Sequence, residues 1–379
     1  MKLLSPQQGV YFAFCLYALS LGAIFPRLGD VQLQMGIGQD TLGMAIIGAA
    51  FGCQLSLLMA GQVLRLIGFR PVMVAGVAVI SSGELLASVA TGPWGFFGWL
   101  FFAGLAIGVL EVALNVEADR VEHAINRRIM NRSHAFWSLG FFFAGLLGAV
   151  VAQTGVGVST HLAGMLICLC LSAFILVSVH SPAPAKPDEA GQNVRFARPT
   201  RPILMLVGLT LPAMLLEGAG MDWSVIFMRD EFATPPFVNG MALALGALSQ
   251  FVVRFFADKQ VERFGPQTIA RWSILALGLG VIMVAFAPTP AMALIGFVLL
   301  GAGNAAIFPL AVSAAARRTD RSPAVNVAAL SQLTFVVFFL APPLLGFIAE
   351  NFGIRWSFGL VFPLVVMGWF SLRALHSGR

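Results

Sequence analysis

Two polar side chains, Glu111 and Asn115, lie inside a long apolar stretch of the sequence, GLAIGVLEVALNVEADR at 104–120. Together with Asp119 they follow i, i+4, i+8 spacing, so on a helix all three share one face. If the stretch crosses a membrane, a carboxylate there costs about 2.5 kcal/mol or more, and such residues usually serve a function. Burial disfavours the charged form of a carboxyl group, so Glu111 can exchange a proton near neutral pH. We predict that this face lines a polar cavity and that Glu111 carries a proton.

A second pair of carboxylates lies in LLEGAGMDW at 215–223. Glu217 falls near the middle of an apolar run, and Asp222 lies about 8 Å further along a helix axis. We interpret Glu217 as a contact for a solute or a second proton, with Trp223 as a stacking surface. The alternative is a structural carboxylate that is hydrogen-bonded to a neighbouring helix. For Asp222 we predict an ion pair with Arg27 that closes the outer side of the protein.

Further candidates are spread along the chain. His134 either relays protons with Glu111 or Asp119, or is a packing residue near the membrane boundary. Four amides and two aromatic rings have the chemistry to bind a hydroxylated solute, although the same side chains also join helices to each other. These six residues are Asn239, Gln250, Asn304, Gln332, Trp137 and Phe308.

The composition identifies an integral membrane protein. Of the 379 residues 58% are hydrophobic and only 11% are charged, whereas soluble domains carry about 25% charged residues. Repeated apolar runs of about 20 residues indicate helices rather than barrel strands. The first run begins near Gly9, and we expect it to be a retained helix rather than a removed signal. No nucleotide-binding loop, zinc cluster or nucleophile–base arrangement is present, so we expect no enzyme activity, no cofactor, no metal site and no nucleic-acid partner.

Twelve membrane-spanning helices are predicted, and the basic residues orient them. With the N-terminus inside, 20 of the 23 Lys and Arg fall on the inner side, and Arg254 is counted among them. This bias predicts two cytoplasmic termini. The predicted spans are 8–28, 40–62, 70–90, 94–119, 132–153, 158–179, 203–228, 237–258, 268–287, 290–312, 324–348 and 355–374.

The chain divides near its middle into two similar halves. Residues 181–201 are rich in Pro, Ala and charge, and we interpret them as a flexible cytoplasmic linker between six-helix bundles at 1–180 and 202–379. Gly104 and Gly301 each precede an arginine by 16 residues, which aligns the fourth run with the tenth. On that register Glu111 corresponds to Phe308, so the carboxylate belongs to the N-terminal half alone. The fold class is therefore an all-α membrane protein of twelve helices in two pseudo-symmetric six-helix bundles.

This organisation resembles the major facilitator superfamily. The similarity includes the Gly/Arg-rich loops at 61–71 and 257–266, and LEVALN at 110–115 is similar to the LE-x-A-x-N run of the fucose permease branch of proton-coupled sugar symporters. RSHAFWSLG at 132–140 is also similar to a group of poorly characterised bacterial permeases. The resemblance implies a bacterial inner-membrane transporter in which Glu111, with Asn115 beside it, belongs to the proton- and sugar-linked site.

The sequence departs from the family pattern in two places. The fucose permease branch has an Asp shortly before a Pro in its first helix, and Gly22 stands there, before Pro26. The superfamily loop motif has an Asp where this chain has Arg65, while Asp258 holds a comparable place in the second half. We therefore assign Asp258 to gating.

These observations predict a monomeric, proton-coupled secondary transporter that moves a small polar solute, a sugar or related hydroxylated metabolite, by alternating access. Uptake is the preferred direction. The first alternative is proton-driven export of drugs or metabolites, which an apolar, Phe- and Met-lined cavity would favour over paired amides. A non-transporting membrane sensor or scaffold ranks below both, since we would expect it to carry an added soluble domain or a long charged tail.

Overall fold

The computed structural model describes residues 4–185 and 198–375, and within them every regular element is a helix. Twelve of these helices are long and apolar enough to cross a membrane, which confirms the predicted fold class. We number them as spans 1 to 12: Pro6–Met35, Gln39–Leu57, Phe69–Ser88, Pro93–Ile125, Met130–Gln153, Val158–Val179, Arg201–Phe232, Pro236–Phe264, Pro266–Ala285, Pro290–Ala316, Val325–Phe352 and Ile354–Leu375.

Span 1 is broken near its outer third. The helix Pro6–Gly22 gives way to a 3-10 turn at Phe25–Arg27 before the helix Leu28–Met35. Pro26 explains the break, because proline lacks the N–H that a continuous helix needs and disfavours helical geometry in the residue before it. The backbone N–H of Ile24, at this break, lies beside the buried carboxylate of Glu84 in span 3.

Two other spans are made of shorter pieces, and one helix lies between spans. The pieces are Pro323–Phe335 and Val337–Phe352 in span 11, and Ile354–Gly359, Phe362–Ser371 and the 3-10 turn Leu372–Leu375 in span 12; Ala60–Ile67 follows span 2.

Several helices extend beyond the predicted bounds. Span 4 has 33 residues and continues to Ile125, where Asn126 adopts a left-handed conformation with φ 49° and ends it. The prediction stopped at residue 119 because the apolar pattern ends there. Backbone hydrogen bonds continue through polar residues once the helix leaves the bilayer, so hydropathy underestimates helix length.

Glycines allow equivalent helix pairs in the two halves to pack with their backbones in contact. A methyl group in place of the Gly104 hydrogen would lie 2.2 Å from the Ala49 carbonyl oxygen, so spans 2 and 4 meet closely here. In the second half the corresponding methyl group at Gly301 would lie 2.0 Å from the Gly246 carbonyl oxygen, between spans 8 and 10. The two contacts are related by the same sequence offset, which supports the register that aligns span 4 with span 10. Small residues at helix contacts are typical of membrane bundles.

The two halves meet along two helix pairs. Spans 5 and 8 approach so closely that a methyl group at Gly240 would lie 2.4 Å from the Ala149 Cβ. Spans 2 and 11 are in similar contact, since a methyl group at Gly43 would lie 2.3 Å from the Pro342 carbonyl oxygen. These pairs place the midline of the molecule beside spans 1, 4, 7 and 10, which carry most of the candidate residues.

The segment between the halves begins in fixed contacts rather than as free chain. His180 Nε2 lies 3.0 Å from Glu117 Oε1 of span 4, and the same oxygen accepts the Ala183 N–H at 2.9 Å. Residues 186–197 of the predicted linker lie outside the described residues. Span 6 ends at Val179 and span 7 begins at Arg201, and the division at 181–201 stays a prediction.

Candidate functional site

Glu111 lies in span 4 within a small cluster of neutral partners. Asn115 Nδ2 donates to Glu111 Oε1 at 2.9 Å, and the Tyr17 hydroxyl of span 1 lies beside the same carboxylate. Asn115 Oδ1 is 3.3 Å from His134 Nε2 of span 5. Because Asn115 uses its amide nitrogen for the glutamate, His134 donates to it through Nε2. The structure thus places His134, which the sequence linked to Glu111 or Asp119, next to the pair Glu111 and Asn115.

Asp119 does not join this cluster at Glu111. It lies on the same face of span 4 but about 12 Å further along the helix axis, and its side chain is exposed. A direct proton transfer from Glu111 to Asp119 is therefore too long in this structure, and the predicted coupling role of Asp119 remains a prediction.

Glu217 in span 7 is held by two residues of span 8. Gln250 Nε2 donates to Glu217 Oε1 at 2.7 Å, and Arg254 Nη2 lies 3.2 Å from the same oxygen. The side chains of Arg254 and Glu217 are only 11% and 8% exposed, so this ion pair is buried. Glu217 is therefore hydrogen-bonded to a neighbouring helix, as expected for a structural carboxylate. It also lines the cavity that is described below.

Arg254, Ser138 and Tyr17 are the site residues that sequence reasoning missed. The sequence interpretation counted Arg254 among the cytoplasmic arginines at the inner end of the predicted span 237–258, whereas its side chain is buried in the structure, one helical turn beyond Gln250 in span 8. Its Nη1 donates to the Ser138 hydroxyl of span 5 at 2.9 Å, and that hydroxyl donates to Gln250 Oε1 at 3.0 Å. The signal was present, because an arginine inside an apolar run calls for a buried acidic partner, and Glu217 is an intramembrane carboxylate.

Span 5 joins the two clusters. His134 and Ser138 lie on successive turns, and the Ser138 hydroxyl is 3.3 Å from the His134 carbonyl oxygen. Arg254 is also close enough to His134 to act on it electrostatically. A polar network thus runs from Glu111 in the N-terminal half to Glu217 in the C-terminal half.

A cavity of about 50 Å³ adjoins this network on the side of the C-terminal half. Its polar lining comes from Glu217, Gln250 and Asn304, and Asn304 Oδ1 is buried without a hydrogen-bond partner among the described residues. The volume accommodates a few water molecules but not a sugar. The remaining lining is mostly apolar: Phe141, Leu216, Gly220, Met221, Ala242, Leu243, Gly246, Ala247, Phe297, Leu300 and Gly301.

Several predicted solute-binding residues do not line this cavity. Trp223 is fully buried against span 11 near Gly346, so it offers no stacking surface here. Phe308 packs on Phe335 with ring centroids 5.3 Å apart. The sequence pattern could not exclude these residues, because it shows which helix a side chain belongs to but not the direction in which it points.

The remaining predicted residues have other surroundings. Asn239 accepts a hydrogen bond from Thr234 at 2.5 Å near the start of span 8, and Gln332 of span 11 is exposed. Trp137 lies beside the cavity instead of lining it, because its ring packs on Phe141, with centroids 4.5 Å apart. The Arg254 guanidinium lies 5.8 Å from the Trp137 ring centroid, so the aromatic ring supports the buried cation.

The predicted ion pair between Arg27 and Asp222 is not formed in this structure. Arg27 Nε lies 2.6 Å from Asp30 Oδ2, and its Nη2 donates to the Val156 carbonyl oxygen at 2.9 Å. Asp30 follows Arg27 by three residues after the break in span 1, so a local partner binds Nε, while Nη1 is buried without a partner among the described residues. The break in span 1 places Asp30 beside Arg27 in this structure, and a gating role for Arg27 and Asp222 stays a prediction.

Arg229 instead connects the halves at this end of the molecule. Its Nη1 donates to the Gly29 carbonyl oxygen at 2.7 Å, and its Nη2 donates to Gln32 Oε1 at 2.9 Å. Gln39 of span 2 adds a bond to Asp230 at 2.7 Å. These contacts close the end of the molecule that is distant from the linker.

At the linker end the halves are joined differently. Asn131 of span 5 donates to the carboxylate of Asp258 in span 8. Asp258 is exposed at this surface, in line with the predicted position for a gating residue, although the gating role itself is untested.

Comparison with known proteins agrees with this architecture. Residues 213–376 match the family model described as Major Facilitator Superfamily. An uncharacterised MFS-type transporter of Yersinia pestis is 25% identical over 374 residues, which cover 98% of this chain and 96% of the relative.

Two solved structures show the same fold. The nucleoside transporter NupG superposes with a TM-score of 0.71 at 13% identity, covering 99% of this chain and 100% of the other. The Escherichia coli fucose:proton symporter FucP, as a single-residue variant, superposes with a TM-score of 0.64 at 16% identity, covering 100% of each chain. Identities this low establish the similarity of fold and leave the transported solute open.

Proposed function

We propose, from the premise that this chain is a multi-pass membrane transporter of the major facilitator superfamily, that it couples proton movement to transport of a small polar solute. Two six-helix halves would rock about the central polar network in alternating access. The excess of Lys and Arg on the linker side supports a cytoplasmic location of both termini in a bacterial inner membrane. The network from Glu111 to Glu217 carries this proposal.

The partners of the two carboxylates support Glu111 as the residue that carries the proton. Glu217 is held by the cation of Arg254, whereas the polar neighbours of Glu111 are the neutral side chains of Asn115 and Tyr17. A phenolic hydroxyl both donates and accepts, so Tyr17 can hydrogen-bond to either protonation state of Glu111. Glu111 can therefore change its charge without leaving a buried ion of opposite sign unpaired. Asn115 contacts both Glu111 and His134, so each change in the charge of Glu111 can reach span 5.

The cavity lining supports a hydroxylated solute. The unpartnered Oδ1 of Asn304 can accept a hydrogen bond from a solute hydroxyl, and the amide of Gln250 can bond to a hydroxyl group when the Glu217 contact is exchanged. The Arg254–Glu217 pair cancels its own charge, so a neutral molecule suits the site better than an ion. The nucleoside transporter and the fucose:proton symporter that share this fold carry solutes of this class by name.

One observation favours the exporter alternative. Most of the lining is apolar, with Phe141, Met221 and Phe297 on the walls, and such walls suit a lipophilic solute. Export of a partly apolar metabolite by proton antiport would use the same carboxylate.

Purified protein decides between these functions. A library of sugars, polyols, acids and lipophilic drugs is first screened by thermal shift, since a compound that binds only folded protein raises its melting temperature. The compound found is then offered to proteoliposomes with and without a pH gradient. We expect a hydroxylated compound to accumulate only with the gradient, and equal uptake after its collapse by an uncoupler would refute proton coupling.

The contacts of Arg229 predict how the outer end is held shut. Arg229→Ala removes two charged hydrogen bonds between the halves, each worth about 1.5–3 kcal/mol, so the outward-open population should rise tenfold or more. Gln34 and Asn351 are exposed at the ends of spans 1 and 11. The distance between spin labels at these two positions measures the change, and we expect a larger fraction of long distances in Arg229→Ala. Arg27→Ala is the control, since the Arg27 bonds stay within one half. If Arg27→Ala opens this end and Arg229→Ala does not, the assignment of the gate is wrong.

A further inference from the structure

A groove of about 330 Å³ separates the linker-side ends of spans 9 and 12, far from the central cavity. Span 9 contributes its first turns. Span 12 contributes the end of the helix Phe362–Ser371 and the 3-10 turn Leu372–Leu375 with which the span ends. The groove is lined by Gln267, Arg271, Trp369, Phe370, Leu372 and Arg373.

Two arginines make the groove strongly cationic. The lining contains no carboxylate, and no ion pair among residues 4–185 and 198–375 includes Arg271 or Arg373. Arg373 Nε donates to the Phe370 carbonyl oxygen at 3.0 Å, which orients its guanidinium and leaves the Nη groups for another partner. Two guanidinium groups on opposite walls of one groove match the several oxygens of a phosphate group.

The rest of the groove is apolar and continuous with the surface that faces lipid. Trp369 and Phe370 are 40% and 61% exposed. Trp272 and Leu275 of span 9 are 51% and 50% exposed on the same side of the bilayer boundary. Tryptophan is enriched at the level of lipid headgroups. A ligand here therefore meets cations at its polar end and aromatic rings where acyl chains begin.

We propose that this groove binds the phosphate headgroup of one anionic glycerophospholipid, with the acyl chains passing over Trp369 and Phe370 into the bilayer. Basic pockets between membrane helices bind anionic headgroups, and each basic side chain near such a surface contributes about a fivefold factor in affinity. The site is independent of the transported solute and of Glu111. It would hold span 12 against span 9 in the C-terminal half.

Dioleoyl phosphatidylglycerol is the probe, and lipid bound to the detergent-solubilised full-length protein is counted by native mass spectrometry. We expect Arg271→Gln/Arg373→Gln to bind it about 25-fold more weakly than the wild type, since two cations are lost. Arg127→Gln/Arg128→Gln is the matched control, because it removes two exposed arginines outside the groove and should keep wild-type binding. Unchanged binding in the groove variant, or equal losses in both variants, would overturn the proposal.

Two further ligands, a neutral lipid and a soluble phosphate, show whether the groove binds a lipid headgroup or a free phosphate compound. Dioleoyl phosphatidylcholine should bind weakly because it has no net charge. Glycerol 3-phosphate should neither raise the melting temperature nor displace the lipid, and if it binds as tightly as the lipid, the groove is a site for a soluble phosphate instead. If the double glutamine variant does not fold, Arg373→Gln alone should lower affinity about fivefold, and wild-type affinity in it would contradict the proposal.

Discussion

Glu111→Gln is expected to abolish proton-driven accumulation of the solute while leaving solute exchange close to the wild-type level. Glutamine retains the shape and the hydrogen bond to Asn115, but it cannot release a proton. One proton moving through 100 mV supplies about 2.3 kcal/mol, which corresponds to roughly fiftyfold accumulation. That factor should fall to about one in proteoliposomes with an imposed gradient, whereas counterflow of labelled solute, which needs no net proton movement, should continue.

A second intramembrane carboxylate provides the matched control. Glu84 is buried in span 3 of the same half, but its contact is the backbone N–H of Ile24 rather than the polar network. Glu84→Gln should therefore keep gradient-driven accumulation. Accumulation that survives in Glu111→Gln, or is lost equally in both variants, would remove Glu111 from the coupling step.

Arg254→Gln is expected to produce the largest loss of stability among the site variants. It leaves the charge of Glu217 buried without its cation, and breaking a buried ion pair in this way costs about 3–5 kcal/mol. The substitution also removes the hydrogen bond from Arg254 to Ser138, so the contact between spans 5 and 8 weakens. Thermal unfolding in detergent, compared at one pH and one protein concentration, measures the effect.

The double variant Glu217→Gln/Arg254→Gln separates the ion pair from other roles of the arginine. Two amides can hydrogen-bond to each other without a buried charge, so the double variant should recover most of the lost stability, and the double-mutant cycle gives the coupling energy. Arg317→Gln is the surface control, because that arginine contacts Ser313 at the membrane boundary and has no buried carboxylate among its described contacts. If the double variant is no more stable than Arg254→Gln, the ion pair is not what stabilises this region.

Only part of the candidate site could be predicted from the sequence. Glu111 and Asn115 stood out because their spacing places them on one face of a single helix, and local periodicity is sufficient for that inference. Arg254 was counted with the cytoplasmic arginines because it lies near the inner end of the predicted span 237–258. That it pairs with Glu217 inside the protein became clear only from the packing of span 8 against span 7.

The contacts that close the outer end of the molecule could not be predicted from the sequence either. Arg27 and Asp222 lie at comparable depths on symmetry-related helices, so an ion pair between them was reasonable. The break at Pro26 turned Arg27 toward Asp30 and brought Gly29 and Gln32 within reach of Arg229. A proline signals that a helix can break, but the direction of the chain after the break depends on its neighbours.

What the sequence determined by itself is the membrane location, the twelve helices, their repeat across two halves and the carboxylate in span 4. These follow from hydropathy, charge bias and helical periodicity, which act between residues close together in the chain. The tertiary structure decided which side chains meet: Ser138 with Arg254, Asn304 with the cavity, and Arg229 with the opposite half. In a bilayer many faces of a helix are apolar enough to be buried, so the rotation of each span is set by small-residue contacts and buried hydrogen bonds with distant parts of the chain.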